Sequence, residues 1–176
     1  KYARQFHFEQ ARALVWGQQP MLANFRPEQL TERAEEIGYL LRLARLRYRA
    51  LPWLRDGEFI RAPVLQVGTV PSDLSRLSIY AGQRGGVTAF KRDLPRALAG
   101  AWRAPDGRRA IVLASIVDEP LTLDLDLAAA GFLPAPNEQI YRFDEAGRRE
   151  PLERRNGHLL LTLPPLGACL VEFSGP

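Results

Sequence analysis

The sequence of 176 residues is poor in the residue types that would stabilise it covalently or through metal. It has a single cysteine, Cys169, which excludes an intrachain disulfide and a cysteine zinc cluster. It has two histidines, His7 and His158, and neither lies in a ligand motif with the other or with Cys169. The spacing therefore predicts no metal and no cofactor. No run of about 18 apolar residues occurs, so no spanning helix and no membrane partner are expected. Methionine occurs once, as Met21, and the chain opens on Lys1 without a signal-peptide pattern. These features lead us to expect a piece of a longer, cytoplasmic protein.

What remains is the composition of a globular protein, 46% hydrophobic and 25% charged. Lysine is almost missing, with two among 24 basic residues, so arginine is a general habit of the sequence and not a local patch. The excess of +4 is small, and its densest cluster, Arg42, Arg45, Arg47 and Arg49, follows Glu28, Glu32, Glu35 and Glu36. Acid before base along one helix suits the helix dipole, and no nucleic-acid partner is expected.

Glycine and proline divide the chain unevenly, 3 of each in residues 1–61 against 11 of each in residues 62–176. In the first segment, residues 13–16 read as a short buried strand broken by Gly17. A long amphipathic helix is predicted over 27–49, about 35 Å if unbroken, with a break near Gly38. Its apolar stripe is Leu30, Ala34, Ile37, Leu41, Ala44 and Tyr48, widened by Leu40, Leu43 and Leu46.

After residue 62 the period becomes that of strands, with turn signals spaced as in a sandwich. Strands are expected over 59–70, 77–81, 87–90, 97–103, 109–117, 121–127, 139–143, 149–152, 158–163 and 168–173. Ala104-Pro105-Asp106-Gly107-Arg108 is a hairpin turn, and residues 121–127 alternate leucine with polar residues, one face buried and one wet. The fold class is thus mainly β, an antiparallel sandwich of about eight strands (residues 62–176) preceded by a short strand and a long helix (residues 1–61).

Chemistry is sparse. No serine sits in a nucleophile turn, Gly82-Gln83-Arg84-Gly85-Gly86 lacks the helix a phosphate cradle needs, and Cys169 lies in an apolar strand as a core thiol. Asp124 and Asp126 share a strand face about 6.5 to 7 Å apart, within the span of an inverting glycosidase, yet their leucine neighbours point them to water. No catalytic residue is assigned. Trp16, Gln18 and Gln19 are the candidate substrate-binding residues, because sugars stack on aromatic rings and pair with amides. The competing reading has Trp16 filling core and the glutamines satisfying loop backbone. Trp53 and Trp102 read as packing anchors.

Three groups of residues carry a family resemblance: Val15-Trp16-Gly17-Gln18-Gln19-Pro20, Leu51-Pro52-Trp53-Leu54-Arg55-Asp56-Gly57, and the strands around Ala101-Trp102-Arg103 and Leu163-Pro164-Pro165-Leu166-Gly167. With the long helix between them, they resemble the end of a (β/α)8 glycoside hydrolase barrel and the sandwich that closes alpha-galactosidase-like and alpha-amylase-like enzymes. Ser115 departs from the asparagine such sandwiches often carry. The resemblance implies that the catalytic carboxylates lie upstream of Lys1. It also implies a sandwich that stabilises the barrel and helps frame a carbohydrate site. The implied partners are carbohydrate and, through the 27–49 helix, an upstream barrel or another copy. A free-standing carbohydrate- or protein-binding module is the alternative.

Overall fold

The computed structural model describes residues 2–22, 25–77, 87–135 and 137–174. A six-stranded antiparallel sheet forms its centre, in the order β1 (Glu58–Arg61), β4 (Ala97–Arg103), β5 (Arg109–Ser115), β11 (Ala168–Ser174), β7 (Gln139–Phe143) and β8 (Arg149–Pro151). A second sheet pairs β6 (Leu121–Asp126), β10 (His158–Leu163) and the two-residue β9 (Arg154–Arg155). A separate ribbon pairs β2 (Thr69–Leu77) with β3 (Val87–Pro95). The mainly β reading holds. The strand expected over 59–70 divides into β1 and the start of β2, and most of the one expected over 77–81, with the glycine-rich loop after it, lies outside the described residues.

Strand register shows why β5 and β11 are continuous apolar runs. Cross-strand partners share a face. On one face, Gly100, Val112 and Leu170 are aligned, as are Trp102, Ala110 and Glu172. On the other, Ala99, Leu113 and Cys169 are aligned, as are Ala101, Ile111 and Val171. Both faces are covered, so β5 is buried along almost its whole length. The second face meets the leucine sheet, where Leu121, Leu123 and Leu125 pair with Leu163, Leu161 and Leu159, all buried in the same cluster. Each buried leucine contributes roughly 2 kcal/mol. Phe132, which follows β6, packs on Phe173 of β11 with ring centroids 5.2 Å apart.

The first face is covered by helices. Residues 13–16 are not a strand: they end α1 (Ala3–Val15), whose buried residues are His7, Gln10, Ala11, Leu14 and Val15. That spacing is helical, but two polar members hide it from an apolar count. Gly17, with φ +73°, is a helix-ending glycine in the left-handed region, its N–H donating to the Leu14 carbonyl at 2.9 Å.

The predicted long helix also divides, into α2 (Gln29–Glu32) and α3 (Ala34–Arg49). The break falls at Arg33 (φ −131°, ψ 39°), and Gly38 lies inside α3. A short α4 (Leu51–Leu54) follows. Part of the expected stripe is turned outward. Ile37, Leu43 and Leu46 are buried as expected, joined by Tyr39 and Ala50, whereas Leu30, Leu41 and Tyr48 are exposed. With leucine or tyrosine on several sides of α3 among its charged residues, period alone does not disclose the core face. The deciding contact is the Tyr39 hydroxyl, which donates to the Ser115 carbonyl at 2.9 Å from a fully buried position. Residues on both sides of Ala62 enter one contiguous core. Among the described residues, no helix is long and apolar enough to cross a membrane.

Candidate functional site

The segment holding Trp16, Gln18 and Gln19 is a fixed corner at the carboxyl end of α1, rather than at the end of a strand. Two grips hold it. Gln10, buried in α1, donates through Nε2 to the Met21 carbonyl at 3.0 Å and accepts the Met21 N–H through Oε1 at 3.2 Å. At the other end, Gly17 lies so close to Trp102 that an added Cβ would stand 2.6 Å from the indole ring. The Trp102 indole N–H donates to the Val15 carbonyl at 3.0 Å, and Arg47 Nη2 donates to the Gly17 carbonyl at 3.3 Å.

Between these grips Trp16 is 54% exposed, and Gln18 and Gln19 are exposed as well. Trp16 therefore does not fill core. The amides of the two glutamines face solvent on a backbone already ordered, which lowers the entropy lost when a ligand binds. Phe59, 43% exposed, meets the buried Trp102 ring edge-on at 5.1 Å. Trp53 and Trp102 are buried, as packing anchors should be. Of the residues that hold the corner, the sequence points to Arg47 only as one charge in the basic cluster of the helix, and not to Gln10. The helical spacing of Gln10 with His7, Ala11, Leu14 and Val15 is the signal that reveals it.

A concavity of about 200 Å³ lies between α3, α4 and the helix-facing side of the sheet, lined by Leu46, Arg49, Trp53, Leu170 and the charged pair Arg108 and Glu172. Its charges are engaged: Arg49 donates to the Glu145 and Ala146 carbonyls, and the other two meet each other. Arg108 Nη1 donates to Glu172 Oε1 at 2.7 Å, the Arg108 guanidinium lies 4.8 Å from the Trp53 ring centroid, and Arg149 stands 3.6 Å from the second Glu172 oxygen. One carboxylate clamped by two arginines is not the acid and base pair that glycoside hydrolysis uses.

Asp124 and Asp126 are likewise occupied. Asp124 pairs with His158 Nδ1 at 2.9 Å across the β6–β10 ladder. Asp126 Oδ1 accepts the N–H groups of Ala128 and Ala129, each at 2.9 Å, fixing the turn after β6. Both alternate with buried leucines on the wet face, as expected from sequence. Cys169 is fully buried, and desolvation pushes its thiol up to about 12, which makes it a packed core group rather than a nucleophile.

No known protein family matches the chain, and no curated protein does. Solved glycoside hydrolase structures are similar to it. AmyP in complex with maltose is 17% identical with a TM-score of 0.47, over 87% of this chain and 22% of that one. A GH27 β-L-arabinopyranosidase from Geobacillus stearothermophilus is 12% identical with a TM-score of 0.48, over 98% and 30%. An Anoxybacillus alpha-amylase is 16% identical with a TM-score of 0.42, over 81% and 23%. The chain spans under a third of the length of each of these.

Proposed function

We propose that this chain is the non-catalytic C-terminal portion of a glycoside hydrolase-like protein, in which the sandwich braces a barrel and the Trp16 corner contributes a contact to carbohydrate. The observation that carries the carbohydrate part is the contrast among the three tryptophans. Two are buried anchors, while Trp16 stands 54% exposed beside two exposed amides on a backbone gripped at both ends. The apolar side chains that α3 leaves exposed, Leu41 and Tyr48, support the bracing part, and the engaged state of Glu172, Asp124 and Asp126 supports placing the chemistry elsewhere.

A titration of the chain with maltotriose and with an α-galactoside, read by tryptophan fluorescence, tests the reading. Saturable binding that weakens about tenfold or more in Trp16→Ala is expected, with stability lowered by under about 1 kcal/mol because half of the side chain already meets water. Absence of saturable binding, or binding unchanged in the variant, overturns the carbohydrate contact.

A second reading, docking of a protein surface on the 27–49 region, is favoured by the exposed stripe on α3. Leu41 (47% exposed) and Tyr48 (77%) lie seven residues apart on one helix face. The partner it expects is the upstream barrel or another copy of the chain.

A further inference from the structure

His7 is 2% exposed, yet its Nε2 has no hydrogen-bond partner. A buried imidazole nitrogen left unpaired is costly, and its direction is informative. It faces Glu35 Oε1 at 4.0 Å, and one His7 ring nitrogen, a Glu35 oxygen and an Asp118 oxygen all lie within 4.8 Å of one another. The three come from α1, α3 and the turn between β5 and β6, so the tertiary fold alone unites them. They open onto a hollow of about 260 Å³ that Arg4, Pro71 and Asp73 also line.

From this convergence we infer that His7, Glu35 and Asp118 form a binding site for a divalent transition ion of the zinc type. One imidazole and two carboxylates are a suitable donor set, leaving a fourth position to water or to another donor. With metal–ligand bonds near 2.1 Å, tetrahedral donors lie about 3.4 Å apart, so the 4.0 Å His7–Glu35 separation must contract by about half an ångström, and no pair of the three, all within 4.8 Å, by more than about 1.4 Å. Glu35 and Asp118 can make that movement, because their side chains are 65% and 62% exposed. The imidazole is already positioned by burial and by the Tyr39 ring, whose centroid is 4.9 Å away. A nitrogen donor at the buried end selects against calcium and magnesium, which prefer oxygen.

The charges around the site are mixed. Arg4 Nη2 stands 3.7 Å from Asp118 and competes with a cation for that carboxylate, while Glu36 is held by Arg33 at 2.9 Å. Desolvation lowers the His7 pKa, opposed by Asp118 and Glu36 and assisted by Arg4 and Arg42.

The test is calorimetric titration of the untagged chain with zinc chloride, with calcium chloride as the comparison. One zinc per chain is expected, with a melting temperature raised by about 5 °C or more at a hundredfold excess over Kd. Glu35→Gln and Asp118→Asn, both at exposed side chains and so compatible with folding, are expected to weaken binding about tenfold or more, and His7→Gln to abolish it. Arg4→Gln should tighten it. His158→Gln should leave it unchanged, because the Asp124–His158 pair is a different place in the fold. The inference is overturned if zinc gives no saturable binding, if calcium binds equally well, or if affinity survives both carboxylate substitutions or depends on His158.

Discussion

Gly100 in β4 faces the end of α1 at a distance that leaves no room for a side chain. A Cβ built there would stand 2.0 Å from the Val15 carbonyl oxygen, where real contacts stay above 3.0 Å, so the carbonyl must retreat by at least about 1 Å. That oxygen is also the acceptor for the buried Trp102 indole N–H at 3.0 Å. Gly100→Ala therefore combines overpacking, about 1–3 kcal/mol, with a weakened or orphaned indole donor, another 1–3 kcal/mol or so. A loss near 3 kcal/mol is expected, which at this chain length corresponds to a fall in Tm of roughly 10 °C. Urea unfolding followed by tryptophan fluorescence measures it, with the slope expected to stay constant.

Two comparisons isolate the cause. In a Trp102→Phe background the same substitution should cost about 1 kcal/mol less, since no indole donor remains to be orphaned. Gly107→Ala, in a hairpin turn with φ +89° and no atom within 4 Å, should cost only about 1 kcal/mol through its dihedral. A loss below about 1 kcal/mol for Gly100→Ala, or no difference between the two backgrounds, would refute the close-approach argument.

Two further outcomes follow from exposed and buried groups of the helices. Folded His7 has a pKa below its ordinary 6.5, mainly because it is buried, with Arg4 and Arg42 adding to the effect and Glu36 and Asp118 opposing it. As pH falls through 6.5 the unfolded chain takes up a proton first, so stability should decline in that window and be fully present above it. Urea midpoints at about pH 7.5 and pH 5.5 should differ less in His7→Gln than in the parent, and an equal difference would exclude His7 as the source. On α3, Leu41→Glu with Tyr48→Glu should change stability by under about 0.5 kcal/mol each while abolishing concentration-dependent association in sedimentation velocity. A parent chain that stays monomeric throughout would remove a second copy as the partner of this stripe.

Much of the β architecture was legible because its signals are local. The alternation in residues 121–127 became β6 with leucines in and polar residues out, and β10 repeats the pattern. The Pro105-Asp106-Gly107 turn joined β4 to β5, with Asp106 Oδ1 accepting the Arg108 N–H at 3.1 Å. The helices were harder to read. In α1 the buried face includes His7 and Gln10, whose polarity breaks the apolar count, and a glycine such as Gly17 ends a helix or a strand equally well in sequence. In α3 the excess of leucine and alanine makes several stripes equally plausible from period alone, and the choice among them belongs to Tyr39 meeting a carbonyl 76 residues away. The pairing of an aromatic with two amides at Trp16, Gln18 and Gln19 was visible in sequence, but their exposure and the means of holding them, Gln10, Arg47 and Trp102, depend on tertiary contacts.

The central sheet separates two tasks by face. The side toward the leucine sheet carries Ile111, Leu113, Val171 and Phe173 among the smaller Ala99, Ala101 and Cys169, and builds core. The side toward the helices carries Leu98, Val112 and Leu170 interleaved with the small Gly100, Ala110, Ala114 and Ala168, and with Trp102. Small residues let α1 approach until its last carbonyl is captured by an indole, and that capture fixes where the helix stops and where Trp16 stands. The same approach, with α3 anchored through Tyr39, brings His7 beside Glu35. Neither feature could be preserved by the helices alone, since α1 and α3 meet the sheet and each other through faces that include polar side chains. Loss of the close approach at Gly100 should consequently disturb the Trp16 corner before it disturbs the leucine ladder, which lies on the opposite face and shares no hydrogen bond with α1.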